Sequence, residues 1–244
     1  MIFPRFVDDA LKRLLERKGY FRLKGKNGFE LERRRKLLAS LDADLLLDVG
    51  ANVGQYAREM RRLGYHGPIV SFEPMRSALS ELEPAATADG NWKVVPAGVS
   101  DRSGTTQLHI AKNSISSSVL DMERLHSAVA PASEYIASEE IVLTTLDQAM
   151  TAIATDARRI WLKIDVQGLE DRVLAGATET LHRVACIQLE LSLAPLYKGQ
   201  TTYLPMLLRL AELGFDLAGV EAGFLDAGSG RLLQMDGLLV RREP

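Results

Sequence analysis

The stretch Leu45–Met60 reads LLLDVGANVGQYAREM. A short apolar run, broken only by Asp48, has the length of a buried strand. The residues after Gly54 return to helical spacing. Between the two, Gly50 and Gly54 bracket Asn52. A turn needs one glycine, so two of them behind an acidic residue imply backbone cleared for something that rests on it. The N–H groups that open the following helix point outward with partial positive charge, which suits a carboxylate or a phosphate.

Outward from this stretch, apolar runs alternate with helical patterns. Strands are expected at Leu45–Val49, Pro68–Phe72, Lys93–Ala97, Ile160–Asp165 and Val184–Leu191, with further extended segments at Thr106–Ile110 and Ile141–Thr144. Helices are expected at Val53–Leu63, Met75–Ala86, Glu170–Leu181 and Tyr203–Leu213. Such alternation implies an α/β fold with a mostly parallel sheet covered on both faces. The last two strands, Phe215–Val220 and Leu232–Val240, have no helix between them and predict an antiparallel hairpin at one edge. Ligands in such sheets sit beyond the carboxyl ends of the strands, where strand order reverses. Asp48–Gly54, Glu73, Gly98–Asp101 and Asp165–Gly168 are thereby gathered around one crevice.

The chemistry of that crevice favours an adenosyl ligand. The dinucleotide fingerprint is GxGxxG, whereas this chain carries GxNxG with Asp48 two positions earlier. Asp48 would repel a pyrophosphate and suits a ligand bearing an ammonium beside a carboxylate, such as the methionine part of S-adenosylmethionine. Gly50, Asn52, Gly54 and Gln55 form the loop and helix start beneath it. Glu73, in SFEP, lies 19 residues beyond Gly54 and can accept hydrogen bonds from both ribose hydroxyls. Ser100 and Asp101, in VPAGVSD, would meet the adenine edge.

Asp165 ends the fourth strand and is read as substrate-orienting group, general base or contact to the methionine amino group. Glu190 ends the fifth strand and is a second candidate base, tolerable inside only if paired. His126 is the third, because imidazole titrates near working pH. Lys163 is expected to support Glu170, although its spacing from Asp165 keeps those two on one strand face. Asp165 and Glu190 could together hold a divalent cation, but two carboxylates are thin grounds and no metal is assigned.

Composition bounds the rest. The 244 residues suit one large domain with an appended segment, and 46% apolar with 25% charged residues is ordinary for a globular chain. The one cysteine, Cys186, excludes an internal disulfide, and the four histidines show no HExxH spacing. No secretory leader or membrane span is expected, so a cytoplasmic protein is. Residues 1–36 carry a net charge of +7 and the remainder −9. Leu11, Leu14 and Leu15, with Phe6 and Val7, make an apolar stripe for packing on the main domain, and exposed apolar positions there would suit a homodimer. The basic face is read as solvated, with no nucleic-acid partner. Asp42–Asp44 reads as a helix-to-strand turn.

Taken in order, DVGANVGQY, SFEP, NSISSSV, LKIDVQGLE, QLELSLAPLYKG and LLQMDGLLVRR resemble the FkbM family of S-adenosylmethionine-dependent methyltransferases. The resemblance runs from Leu45 to Arg241. It implies a class I methyltransferase fold: a Rossmann-like three-layer sandwich on a seven-stranded sheet with a reversed last strand. It also implies O-methylation of hydroxyls on sugars, glycolipids or polyketide-type natural products, hence a small-molecule or glycosylated acceptor. Leu169 departs from the aromatic or alanine common after that glycine, which bears on pocket shape. The domains expected are a basic helical extension over 1–36 and a methyltransferase domain over 37–244. An insertion at 111–140, with the hydroxyl-rich Asn113–Ser118, is expected to close over the cofactor. The alternatives are an NAD-linked oxidoreductase, disfavoured by GxNxG, and a fold that binds cofactor or carbohydrate without turnover.

Overall fold

The computed structural model describes residues 28–153 and 156–242. The stripe from Phe6 to Leu15, on which the expected docking and dimer face depend, lies outside them. The chain divides into two compact units at Asp42 and Ala43. The first contains helix α1 (Gly28–Leu41), on which Arg35 pairs with Glu32 one turn away.

The second unit is built on a sheet of seven strands: β1 (Leu45–Val49), β2 (Ile69–Phe72), β3 (Trp92–Val95), β7 (Ile160–Ile164), β8 (Val184–Ser192), β9 (Phe215–Ala222) and β10 (Gln234–Arg241). Their order is β3-β2-β1-β7-β8-β10-β9. The reversal of winding falls between β1 and β7, which pair in parallel with Asp48 opposite Lys163. The hairpin β9–β10 lies at one edge as its sequence implies, but the chain's last strand is the inner one. It runs antiparallel to both β8 and β9.

Alternation along β1 explains the two faces. Leu45, Leu47 and Val49 point to one side, where they join Leu162, Ile164, Ile187 and Leu189 in a dry core. Helices α5 (Leu146–Ile153), α6 (Glu170–Ala175), α7 (Thr178–Leu181) and α8 (Tyr203–Glu212) cover that side with Met150, Leu174, Leu181 and Met206 among others. The other side carries Asp48, Trp161, Lys163 and Gln188. It is met by α2 (Gln55–Arg62), whose Tyr56 hydroxyl donates to Gln188 Oε1 (2.7 Å) and accepts from Trp161 Nε1 (2.9 Å).

The single helix expected over Glu170–Leu181 is two short ones. Asp147 causes the break: its carboxylate accepts the backbone N–H groups of Glu179 and Thr180 and the hydroxyls of Thr178 and Thr180. That cap restarts the helix as α7. Helix α3 (Arg76–Asp89) follows β2 much as its pattern predicts. Asp44, in the turn before β1, accepts the N–H groups of Arg158 and Arg159 at the foot of β7.

The extended segments between β3 and β7 stay out of the main sheet. β4 (Gly98–Val99), β5 (Gly104–Ala111) and β6 (Tyr135–Thr144) form a separate three-stranded sheet in the order β4-β6-β5. Residues 112–134 loop out from it and include helix α4 (Arg124–Val129).

The glycines of the opening loop serve the backbone first. Gly50 sits at φ +80°, and a Cβ there would lie 1.8 Å from the carbonyl oxygen of Asp165. Gly54 sits at φ +82° against Trp92 and Leu82, where a Cβ would come within 2.6 Å of the indole. They let β1 approach β7, and α2 approach β3 and α3. Gly50→Ala is expected to destabilise the protein by more than about 2 kcal/mol, because left-handed strain adds to a backbone collision. Gly64→Ala, at φ +94° with open space around it, should cost about 1 kcal/mol. Urea unfolding of both variants checks the contrast.

Candidate functional site

Beyond the carboxyl ends of β1, β2, β7 and β8 lies a cavity of about 420 Å3. Of the residues singled out from sequence, Gly50, Asn52, Gln55, Glu73, His126, Asp165 and Glu190 share its wall. Asp48, Gly54, Ser100 and Asp101 do not.

Ser100 and Asp101 are held elsewhere because β4 leaves the main sheet to pair with β6. The Ser100 N–H donates to the Thr144 carbonyl (2.9 Å), and its hydroxyl donates to Asp101 Oδ1 (3.0 Å). Gly98 and Val99, just before them, line the cavity instead. Asp48 is wholly buried beneath the cavity. Its Oδ2 accepts from the Ser71 hydroxyl (3.2 Å), which in turn accepts from Trp92 Nε1 (2.9 Å). Its Oδ1 has no hydrogen-bond partner, and burial pushes the carboxyl up to about 6 against the pull of Lys163.

Lys163 is the buried cation of this site. Its ammonium donates to Asp165 Oδ2 (2.7 Å), and the expected pairing with Glu170 does not form. Burial opposes its charge, yet Asp165, Asp48 and Asp236 hold it above its ordinary value. Glu170 instead turns back to accept the N–H groups of Gly168 (3.1 Å) and Val166 (3.3 Å), and burial raises it to about 7. It therefore shapes the loop after β7.

Glu73 is clamped by backbone. Oε2 accepts the Asn52 N–H and Oε1 the Met75 N–H, both at 2.8 Å. Burial raises it to about 7, partly offset by these two donors. The Asn52 side chain folds back to accept the Val53 N–H (2.9 Å), stabilising a residue at φ +46°.

Also lining the cavity, Gln167 donates from Nε2 to Asp165 Oδ1 (2.6 Å) and Glu190 Oε2 (2.8 Å). Gln234, on β10, adds a longer bond to Glu190 Oε2 (3.2 Å). Burial first, then the charges of Asp165, Asp236 and Glu170, raise Glu190 well above the usual carboxylate range. His126 is 4% exposed, so it is not a surface histidine. Its ring meets Tyr197 edge-on and lies near Phe224, Nδ1 has no partner, and burial lowers its basicity. Asn113, Ser114, Ile115, Ser116 and Ser117 line the same cavity.

Lys163, Gln167, Tyr197, Phe224 and Gln234 went unassigned or misassigned in the sequence. Lys163 and Gln167 left a local signal there, each two residues from Asp165; Tyr197, Phe224 and Gln234 arrive from distant strands and loops.

Comparison with known proteins is consistent with this frame. The sequence profile of the methyltransferase FkbM domain matches residues 48–217. The chain belongs to the FkbM methyltransferase family, and its cofactor is S-adenosylmethionine. No curated protein sequence matches the chain. Similar solved structures include methyltransferase FkbM from Methylobacillus flagellatus KT, at 14% identity and TM-score 0.48 over 80% of this chain and 44% of that one. This chain thus spans less than half of that relative's length. A putative S-adenosylmethionine-dependent methyltransferase from Listeria monocytogenes aligns at 10% identity and TM-score 0.48 over 88% and 97% of the two chains. Fibrillarin from Aeropyrum pernix, solved with natively bound S-adenosyl-L-methionine, aligns at 12% identity and TM-score 0.46 over 81% and 66%.

The raised carboxyls carry a sign. Asp48, Glu73 and Glu170 bind protons more tightly folded than unfolded, so their stabilising contribution is full below about pH 4 and is lost as pH rises through about 6 to 7. Glu170→Gln keeps an acceptor for the loop N–H groups and removes one such proton. It should leave the melting temperature unchanged at about pH 4 and raise stability at pH 8 by on the order of 1–3 kcal/mol. Thermal unfolding of the ligand-free protein at the two pH values tests this.

Proposed function

We propose that this chain is an O-methyltransferase acting on a hydroxyl of a sugar, glycolipid or polyketide-type natural product. The observation that carries the proposal is the Asp165–Gln167–Glu190 cluster, which shares one cavity wall with Glu73. A carboxylate of raised basicity beside a ligand cavity is what removal of a hydroxyl proton requires.

The residues present suit S-adenosylmethionine. An acidic side chain follows the second strand, the loop after β1 exposes Gly50 and Asn52 to the cavity, and among the described residues no lysine or arginine lines the cavity to receive a pyrophosphate. Glu73 would accept from the ribose hydroxyls, its orientation fixed by Asn52 and Met75. Gln55 and the Gly50–Asn52 backbone would meet the methionine part. Asp48 acts from below, through Lys163, to hold Asp165. The bound cofactor supplies a methyl group made electrophilic by its sulfonium.

The chain's own work is alignment and proton removal. Glu190 would accept the hydroxyl proton of the acceptor. Asp165, tied to Lys163, would orient the acceptor. His126, neutral in its apolar surroundings, would offer Nδ1 to a second polar group of the acceptor. Phe224 provides an apolar face beside it. A cytoplasmic location accords with the single cysteine of the sequence. Among the described residues no helix is long and apolar enough to cross a membrane.

Calorimetric titration with S-adenosylhomocysteine, with NADH as control, is expected to show binding of the first alone. Glu73→Ala should weaken it at least about tenfold, the scale of a lost hydrogen-bonded charge. Transfer of a labelled methyl group to a panel of sugars and glycosylated polyketides tests the acceptor class. Turnover should rise with pH above the usual carboxylate range, since Glu190 is active only once deprotonated. Glu190→Gln should remove that rise and about a hundredfold or more of the rate. A rate within about threefold of the parent would sink the assignment of Glu190, and binding without any transfer would favour a non-catalytic module.

A further inference from the structure

Gln167 stands at the one point where the acceptor side of the cavity is tied to both carboxylates. It is a non-glycine residue at φ +53°, a left-handed conformation that persists only when its surroundings hold it. Four groups hold it. The Ser118 hydroxyl donates to its backbone carbonyl (2.7 Å), the Tyr197 hydroxyl donates to Oε1 (2.6 Å), and Nε2 donates to Asp165 and Glu190.

These contacts fix which way the amide faces. Tyr197 is buried, and burial raises its phenol far above any working pH, so it remains a donor. Its one proton serves the short contact to Gln167 in preference to the longer one, 3.2 Å, to the Ser116 carbonyl. Oε1 must therefore face Tyr197. The reversed amide would set its oxygen against two carboxylates.

We propose that Gln167 is a positioning residue whose amide locks Asp165 and Glu190 at a fixed spacing and holds Glu190 as a carboxylate ready to take the acceptor's proton. This rests on the assignment of Glu190 as that acceptor of the proton. The surroundings of Glu190 show why a donor is needed there. Asp165 beyond β7, Glu170 on α6 and Asp236 on β10 all disfavour its ionisation, and Lys163 favours it. Apart from Gln167, its hydrogen-bond donor is Gln234 at the longer distance. A hydrogen bond to the charged form favours ionisation, so its loss moves the equilibrium toward the protonated acid. The Ser118 and Tyr197 contacts carry the same consequence to the NSISSS segment. Its fold sets the backbone of the residue that sets the base.

The test reads Glu190 directly and needs no acceptor. Protein labelled with 13C at glutamate side-chain carboxyls is titrated by NMR, with the Glu190 signal assigned by its absence in Glu190→Gln. Gln167→Met should raise the Glu190 midpoint by about one pH unit or more, the scale of a lost charge-assisted bond. Tyr197→Phe, which keeps the ring and frees the amide to turn, should raise it by less and in the same direction. An unmoved midpoint in a folded Gln167→Met protein overturns the proposal. If that variant does not fold, an unmoved midpoint in Tyr197→Phe does so. Absence of methyl transfer to hydroxyl acceptors in the parent would refute the proposed function while the midpoint shift stood, so the two failures are distinct.

Discussion

Lys163 sits between two carboxylates at the place where the winding of the sheet reverses, and the rest of the site is arranged around that charge. On β1 its neighbour is Asp48, and beyond the end of its own strand it bonds Asp165. A buried ammonium without partners would cost several kcal/mol, and so would either buried carboxylate left alone. Together they fix the relative placement of β1, β7 and the loop that follows. Ser71 and Trp92 extend the same row across β2 and β3. Tyr56, its ring 5.6 Å from the ammonium, closes it from α2. The polar row lies under one helix layer while the opposite sheet face is dry, so the same five-residue strand serves an ion pair and a core.

The excess of acid over base around this row explains the character of the cavity. Asp48, Glu73, Glu170 and Glu190 are all raised by burial, and the structure meets this chiefly with backbone and amide donors. Glu73 has Asn52 and Met75, Glu170 has Val166 and Gly168, and Glu190 has Gln167 and Gln234. Neutral donors orient a carboxylate without cancelling its charge. A pocket so built keeps its attraction for a cationic ligand, which accords with a family whose cofactor carries a sulfonium and an ammonium.

Much of this was legible in the sequence where the signal is local. Strand-to-helix alternation gave the parallel sheet, and the two final strands without a helix gave the antiparallel edge. Glu73 and Asp165 were placed at the cavity because a residue at the end of a strand in this architecture has few other places to be. Asp48 was misjudged for a related reason: alternation along β1 turns it under α2 and away from the cavity. Ser100 and Asp101 do not line the cavity because β4 stays out of the main sheet and pairs with β6, some 45 residues further on. For His126 the sequence offered a candidate base but not its surroundings. Tyr197 and Phe224, distant in the chain, are what bury it.

By itself the sequence determined the order of elements, the glycine-bearing loop after the first strand and the family, because each is written in contiguous residues or in motifs kept in a fixed order. The tertiary structure alone decided that Lys163 serves Asp165, that Glu170 shapes a loop, and that Gln167, Tyr197 and Gln234 surround Glu190. Hydrogen bonds and ion pairs depend on distances of a few tenths of an ångström between side chains brought together by strand register. A linear sequence contains the donors and acceptors but not the register that matches them.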